Sequence, residues 1–498
     1  MSKDIKRGVM LLRRNKHLIS STRLFCLAGL CSLALIHTPL LQAQITTPHT
    51  TLSLGTAGQG PAGPVGIAVS TTQLLVTENG CQTIYSVNSS GTAYSVFATL
   101  PTTHVSAPSC ESYIAISQGL GGFPAGEVYV TQGNVIYKIA STGGTPTVFA
   151  TIHGLNEAAL LSAGFHSGIT FDAVGTFGYN MIVTVVDETT VGDTSTLVTH
   201  VYTISASGSV TELTTVGGRA EGPEVSPMTA KPYGGYLFLG NETNSAVDAI
   251  SSSGTLSVVA SVPEAESVRF IPENSCTYGN TGSSYFQTEY RANELVGFSP
   301  SQLSGVNGSA LVADEDSIAI YAVNFPSKSV SKFATVPQTY GTTWQTQEGG
   351  GIPSCPVVPV TTGFMTGGGT IPGGITPTAT NVEVRHGFEL HCDANRAPNN
   401  LEINWGTGNH FHLDTLTSAF CYMDPAFSPN PPAAPFNTYI GKGVGEYNGV
   451  KGATAQWTFT DHGEPGRNDT AIITITSGGT RVLFVSGSLD SGNQQAHK

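Results

Sequence analysis

Short apolar runs recur along the first two thirds of the chain, and polar turns separate them. Two copies of the pattern align without a gap over 28 residues, Leu74–Pro101 and Ala310–Pro337. Weaker copies begin at Val128, Met181 and Tyr236. Each copy holds three runs rich in Val, Ile, Tyr, Phe and Thr, which suit half-buried strands, and glycine-containing turns join them. Helical periodicity is absent, so the pattern predicts β-strands throughout.

A further apolar run precedes most copies. These runs begin at Gly66, Tyr113, Gly168, Pro223 and Val268. Four strands in every 45 to 55 residues are typical of a β-propeller, whose radial closure leaves few exposed edges. No clear inner run stands just before Ala310, so we expect the last blade to take residues 343–352 or Thr50–Leu54. The sequence predicts an all-β, six-bladed propeller over residues 50–357, with seven blades as the alternative.

Two motifs in this region carry a family resemblance. Pro64–Val69 (PVGIAV), Glu221–Pro223 (EGP) and the repeated Ile-Tyr-x-Val resemble the six-bladed superfamily that includes NHL-repeat proteins and the regucalcin and gluconolactonase group. Members of the gluconolactonase group bind an axial metal through Glu, Asn and Asp and use it to polarise a lactone carbonyl. Glu221 is the position here that resembles their motif, so the resemblance implies a ligand role for it.

The composition changes after residue 360, and the repeat ends there. Alternation of polar and apolar residues, as in Val382–His391 and Ala455–Thr460, is typical of half-buried strands. We therefore predict a C-terminal β-sandwich of six to eight strands over residues 361–498. The motifs Phe364–Gly369 (FMTGGG) and Asp461–Gly466 (DHGEPG) resemble a module that recurs at the ends of exported bacterial proteins, and that resemblance implies no activity.

The N-terminus has the features of an export signal. Seven basic residues within positions 1–23 precede the apolar run Leu24–Ile36, which is short for a membrane span. We expect a signal peptide at 1–43, cleaved after Ala43, with an uncleaved anchor as the alternative. The mature chain then carries 14 basic and 33 acidic side chains, a net charge of -19. Such a surface excludes nucleic acid as a partner and disfavours anionic membranes. From the signal peptide we expect a secreted protein, extracellular or periplasmic.

Six cysteines remain after cleavage, and an even number in an exported chain predicts disulfides. Fifteen connectivities are possible. The order along the chain favours pairs that each stay inside one predicted domain: Cys81 with Cys110, Cys276 with Cys355, and Cys392 with Cys421. No Cys-x-x-Cys motif occurs, so thiolate zinc and thioredoxin chemistry have no support.

The residue two positions before each inner run is acidic in most copies. The series is Pro64, Glu111, His166, Glu221 and Glu266, with Glu348 as a sixth member. If the runs are innermost strands, these side chains lie at one height around the axis. Carboxylates brought together repel one another, a cation relieves the repulsion, and calcium takes six to eight oxygen ligands. The spacing therefore predicts an axial calcium site formed by Glu111, Glu221, Glu266 and Glu348. The alternative is that they are solvated turn residues.

A second candidate metal site lies in the C-terminal domain. His410 and His412 occupy one face of an extended segment, so together with His386 or His391 they are candidates for binding zinc or copper. The alternative, which the lack of a spaced acidic or cysteine ligand favours, is that they are surface strand residues.

No motif assigns a reaction to the chain. Nucleophile elbow, zinc-protease, phosphate-loop, dinucleotide and haem motifs are missing from the sequence. The favoured hypothesis is an exported, non-catalytic binding or scaffold protein that engages protein or glycan. The alternative is a calcium-type lactonase or related hydrolase at the propeller axis, with Glu221 and Glu266 as ligands and His166 as acid or base.

Overall fold

The computed structural model describes residues 46–54, 63–101, 110–155, 165–191, 194–325, 327–336, 347–427 and 434–498. The predicted signal peptide lies outside these residues and stays a prediction. In the described parts of the chain the only helical segments are Pro300–Leu303, Ser304–Val306 and Gly466–Asn468. Everything else that is regular is β-strand, as the residue pattern predicted.

The propeller has six blades, which confirms the six-bladed prediction. Strand β1 (Thr50–Ser53) comes first in the chain but belongs to the last blade. Outward from the axis, the first blade contains β2 (Pro64–Val69), β3 (Leu74–Glu78), β4 (Thr83–Val87) and β5 (Tyr94–Thr99). The short strand β6 (Cys110–Ser112) leads into the second blade, which contains β7 (Ile114–Ile116), β8 (Val128–Gln132), β9 (Val135–Ile139) and β10 (Thr147–Thr151).

The third and fourth blades follow the same order. The third contains β11 (Phe165–Phe171), β12 (Met181–Val191), β13 (Thr194–Ile204) and β14 (Val210–Gly217). Strand β6 joins this blade by pairing parallel to β11. The fourth contains β15 (Ala220–Val225), β16 (Leu237–Asn241), β17 (Ala246–Ile250) and β18 (Leu256–Ser261).

The fifth and sixth blades are interleaved along the chain. After β19 (Ala265–Phe270) the chain forms the hairpin β20 (Tyr285–Glu289) and β21 (Glu294–Phe298), and then returns as β22 (Ala310–Asp314), β23 (Ala319–Asn324) and β24 (Ser329–Thr335). Strand β19 pairs with β22, so β19 is the innermost strand of the Ala310 copy. The hairpin pairs with β25 (Gln347–Gly351) on its inner side and with β1 on its outer side. Both segments expected in the last blade are therefore there, but in a different sheet from Ala310.

Apolar side chains fill the space between neighbouring blades. Between the fourth and fifth blades, the ring centroid of Phe238 lies 4.9 Å from that of Phe270 and 5.3 Å from that of Phe325. All three rings are buried. Such edge-to-face pairs add about 0.5–1.5 kcal/mol each beyond the area they bury, so the blades hold the axis rigid.

The C-terminal domain is one curled sheet of nine strands, whereas the sequence predicted a sandwich of six to eight. The strands are β26 (Phe364–Gly374), β27 (Val382–His391), β28 (Asn400–Trp405), β29 (Asn409–Tyr422), β30 (Thr438–Tyr447), β31 (Val450–Thr460), β32 (Thr470–Ser477), β33 (Thr480–Ser488) and β34 (Ser491–His497). Their order is β33-β32-β31-β30-β29-β28-β27-β26-β34. A bridge from Ile375 to Phe484 on β33 draws the two ends of the sheet together, so one face encloses its own core.

Three disulfides link the pairs favoured by the sequence, Cys81–Cys110, Cys276–Cys355 and Cys392–Cys421. That pairing is confirmed, and it indicates an oxidising compartment. Within the described residues, no helix has the length and apolarity needed to cross a bilayer.

The curled sheet packs against the propeller. Tyr179 of the propeller contacts Tyr422 and Ile440 of the sheet in one buried cluster. Met228 contacts Phe427 and other sheet residues in a second cluster. The Tyr179 hydroxyl also hydrogen-bonds the Thr458 hydroxyl. These contacts fix the sheet over one end of the propeller axis.

Candidate metal centre at the propeller axis

The first residues of the inner strands form an acidic ring at one end of the axis. Four of the predicted ring members are buried, namely His166, Glu221, Glu266 and Glu348, and Glu111 is half-buried. A small residue follows the ring position in five of the six blades: Ser112, Ser167, Gly222, Ser267 and Gly349. A Cβ atom at Gly222 would lie 2.4 Å from the Ser267 Cα atom, so neighbouring strands approach too closely for larger side chains. The small residues let the carboxylates converge.

Two further carboxylates, which the sequence analysis missed, join this ring. Glu242 follows the last residue of β16, and Glu315 follows the last residue of β22. Because the second strand of a blade runs antiparallel to the first, its end lies beside the start of the inner strand. The gapless alignment of the repeats places Glu315 at the same position as Asn79, directly after a strand run. A search for polar residues at this position in every copy could therefore have found Glu242 and Glu315.

His166 forms an ion pair with the first carboxylate cluster. Its Nδ1 atom donates to Glu111 Oε2 at 2.7 Å and lies 3.2 Å from Glu221 Oε1. Burial lowers the pKa of His166, but the two carboxylates outweigh burial and raise that pKa to about 10. Burial raises the pKa of Glu111, yet His166 holds it below its usual range. At neutral pH the pair is an imidazolium and a carboxylate.

A second cluster contains acids only. One carboxylate oxygen from each of Glu242, Glu266 and Glu315 lies within 4.8 Å of the other two. Arg219 donates from Nη1 to both oxygens of Glu242, at 2.9 and 3.0 Å, and Tyr113 donates its hydroxyl to Glu266. No basic side chain is paired with Glu266 or Glu315 in the described part of the chain.

Burial and mutual repulsion raise the pKa of these acids. Burial, and then Glu221 and Glu348, raise the pKa of Glu266 well above its usual value. Burial, followed by Glu111 and Glu315, does the same for Glu348. Burial and Glu242 raise the pKa of Glu315 to about 9. The ring therefore holds protons at neutral pH that a bound cation would displace.

Several ring oxygens lack hydrogen-bond partners among the described residues. Glu221 is 1% exposed, and neither of its carboxylate oxygens accepts a hydrogen bond. Glu348 Oε2 is also buried and accepts no hydrogen bond. The His166 proton at Nδ1 is directed to Glu111, so the 3.2 Å approach to Glu221 leaves that carboxylate unsatisfied. A buried anion without donors is costly unless a cation is bound beside it.

The second cluster fits a calcium-type ion better than the first. Two oxygens bound to one calcium ion at about 2.3–2.6 Å lie at most about 5 Å apart, which the Glu242, Glu266 and Glu315 oxygens satisfy. In the first cluster, the His166 imidazolium already supplies a positive charge and has no free lone pair at Nδ1. His166 is therefore placed as a fixed cation beside the candidate site, and Glu242 and Glu315 as ligands in addition to Glu266.

The histidines of the C-terminal sheet do not converge. His391 is buried and its Nδ1 atom lies 2.8 Å from the Pro398 carbonyl oxygen. His410 and His412 are both exposed on one face of β29, and His412 pairs with Glu402. Among the described residues, the two clusters of three or more candidate ligands both lie at the propeller axis, and neither includes these histidines.

Neither a protein-family model nor a curated protein matches the sequence. Solved structures with a similar arrangement include a streptogramin B lyase, which is 12% identical with a TM-score of 0.32 over 79% of this chain and 93% of the other. A PQQ-bound aldose sugar dehydrogenase from Streptomyces coelicolor is 12% identical with a TM-score of 0.37, covering 72% and 98%. A gluconolactonase from Xanthomonas campestris is 10% identical with a TM-score of 0.33, covering 61% and 90%. Similarities at this level carry no information about activity.

Proposed function

We propose that this exported propeller protein binds a calcium-type divalent cation at the acidic end of its axis. The bound ion presents its free coordination positions to an oxygen-rich extracellular ligand such as a glycan. The observation that carries the proposal is the convergence of Glu242, Glu266 and Glu315, of which only Glu242 is paired with a basic side chain, Arg219, in the described part of the chain. The buried Glu221 supports it, since neither of its oxygens accepts a hydrogen bond although the His166 imidazolium lies 3.2 Å away.

Calorimetric titration of calcium into the chain beginning at Gln44 tests the proposal. We expect one binding event, with affinity at least about tenfold weaker in Glu266→Gln and in Glu315→Gln, because each loses an anionic ligand. Binding at pH 7 should release protons, so the measured heat should change between buffers of different ionisation enthalpy. The matched control is Glu402→Gln on the exposed face of β28.

Thermal unfolding separates a cation site from a merely structural acid cluster. Without calcium, Glu266→Gln should not lower the melting temperature, because a neutral amide replaces an acid crowded by other carboxylates and still offers an oxygen to the Tyr113 hydroxyl. With calcium, the wild type should gain stability and this variant should gain less. No heat of binding in the wild type, or equal calcium stabilisation of both proteins, would refute the proposal.

A metal-assisted lactonase is the second candidate. Tyr113 and His166 favour it, because both place a protonated group beside the acidic cluster. With a pKa of about 10, His166 would act as an acid rather than as a base at neutral pH. Calcium-dependent hydrolysis of glucono-1,5-lactone that is lost in Glu266→Gln would favour this candidate over a binding role.

A further inference from the structure

The opposite end of the axis holds a cavity of about 260 Å³ with different chemistry. All six inner strands or the turns that follow them contribute to it, and the C-terminal sheet covers it with the segment Tyr422–Ala426. Its walls are mainly apolar and include Ile67, Ile114, Ile169, Phe270 and Ile352. A cavity of this kind between two packed domains is a typical position for a small-molecule site.

Four titratable side chains line this cavity: Glu224, Arg269, Tyr422 and Asp424. Arg269 is held by the protein itself. It donates at 2.6 Å to the carbonyl oxygens of Val268 and Gly350, and its Nε atom lies 3.4 Å from Glu224 Oε2. The guanidinium is therefore occupied by carbonyls and one carboxylate, so an incoming anion would have to compete with these contacts.

Asp424 has only local donors. The Ala426 N–H donates to Oδ1 at 2.9 Å, and the Tyr422 hydroxyl approaches Oδ2 at 3.4 Å. In the described part of the chain no basic side chain is paired with it. With both carboxyl groups ionised, the cavity holds two negative charges against the one positive charge of Arg269, which is paired with Glu224. Burial raises the pKa of Glu224 to about 7 and that of Asp424 to about 6, so at pH 7 Asp424 carries its charge and Glu224 is partly ionised.

A second, more polar cleft adjoins the cavity and shares Ile116, Gln118, Ser354, Cys355 and Val357 with it. That cleft continues past Ser70, Thr71 and Ser141 to the rim of the first two blades. We therefore expect a small molecule to enter from this side.

We propose that this cavity binds a small hydrophobic molecule that carries one protonated amine, with its apolar body against the isoleucine walls and its ammonium group at Asp424, while Glu224 adds a second carboxylate to the lining. The charge balance of the four titratable groups favours a cation over an anion, and the apolar walls favour a ring or short chain over a polyol. This site is independent of the acidic ring, since it lies at the other end of the inner strands.

Three matched probes test the proposal by calorimetry with the chain beginning at Gln44, in EDTA: 2-phenylethylamine, neutral 2-phenylethanol and anionic phenylacetate. We expect the amine to bind at least about tenfold more tightly than phenylacetate, because only the amine can form a charge-assisted hydrogen bond with Asp424. Asp424→Asn should weaken amine binding about tenfold and leave phenylethanol binding unchanged.

Two controls keep the test decisive. Asp414→Asn alters an exposed acid on β29 and should leave amine binding unchanged. Glu224→Gln provides a second variant in case Asp424→Asn does not fold. No binding of the amine, equal binding of all three probes, or wild-type amine affinity in both cavity variants would overturn the proposal. Glu266→Gln should not affect the amine, so this result does not depend on the calcium site.

Discussion

One histidine of the propeller hub and one of the C-terminal sheet are equally buried, and the two have opposite protonation. His166 and His386 are both 6% exposed. Beside the carboxylates of Glu111 and Glu221, the pKa of His166 rises to about 10. His386 stacks beside the rings of Phe388 and Phe459 and accepts a hydrogen bond from Gln494 Nε2, and burial lowers its pKa to about 4. Equal burial with different neighbours gives a permanent cation in one domain and a neutral ring in the other.

The largest effects on stability are expected from removing each of the two imidazoles. His166→Gln leaves Glu111 and Glu221 buried without a counter-charge, so we expect a loss of about 3 kcal/mol or more in the free energy of unfolding at pH 7. His386→Phe keeps an aromatic ring beside Phe388 and Phe459 but leaves the buried Gln494 amide without its acceptor, so it should cost about 1–3 kcal/mol. Urea unfolding measures both. Circular dichroism follows the whole chain, and in a Trp344→Phe background the fluorescence of Trp405 and Trp457 follows the C-terminal sheet.

Adding calcium to the same unfolding experiment distinguishes the two variants further. If the acidic ring binds the ion, calcium should restore part of the stability lost in His166→Gln and none in His386→Phe. Equal losses in the two variants would show that the environment of the imidazole does not decide its contribution.

The two buried histidines should contribute to the pH dependence of unfolding in opposite directions. Folded His166 keeps its proton up to about pH 10 and folded Glu315 up to about pH 9, whereas the unfolded chain releases these protons at about 6.5 and 4.3. The folded hub thus binds more protons, so in EDTA the contribution of Glu315 falls as pH rises from about 4.3 to 9, and that of His166 falls as pH rises from about 6.5 to 10. Folded His386 binds its proton only near pH 4, so its own contribution falls by up to about 3 kcal/mol as pH falls from 6.5 to 4, and the pKa of Asp469, which burial raises to about 7, offsets this loss in the same sheet.

The two histidine variants test these assignments. In His166→Gln, the free energy of unfolding should depend less on pH between about 6.5 and 10. In His386→Phe, the loss of stability that His386 causes between about pH 6.5 and 4, measured by tryptophan fluorescence, should be absent. An unchanged pH dependence in both variants would contradict both assignments.

The smallest expected effect concerns the contact between the domains. Tyr179→Phe removes the hydroxyl that bonds Thr458 and leaves the surrounding apolar cluster in place, so it should cost about 1 kcal/mol. We expect the unfolding transitions of the propeller and the sheet to separate slightly in differential scanning calorimetry. A change larger than that of His166→Gln would show that this bond, rather than the apolar clusters, joins the domains.

The strands of the propeller were predictable because the information is local. Each run of Val, Ile, Tyr and Phe is followed by its own turn, so blades one to four follow from chain order alone. The pairing of β19 with β22 was not predictable, since a 39-residue segment containing a complete hairpin separates Phe270 from Ala310. Only the geometry of closure decides which sheet that hairpin joins.

The candidate site was predictable in part for the same reason. The period of the inner strands placed Glu111, His166, Glu221, Glu266 and Glu348 at one height. Glu242 and Glu315 come instead directly after the second strands of their blades, β16 and β22. Their place beside the ring becomes clear only when the antiparallel pairing of the first and second strands is considered. The charge of His166 could not be read from sequence, because it depends on the distances to Glu111 on the paired strand β6 and to Glu221 on the next blade.

The sixth sheet also sets the order in which this molecule can assemble. Its strands come from residues 50–53, 285–298 and 347–351, so the earliest strand waits for partners about 240 and 300 positions later. Pairing across such separations is slow, because a long loop must close before the contact forms. Glu348 joins the other acids only when this sheet forms, whereas Glu242, Glu266 and Glu315 belong to the fourth and fifth blades, so the three candidate ligands do not depend on closure of the ring to meet.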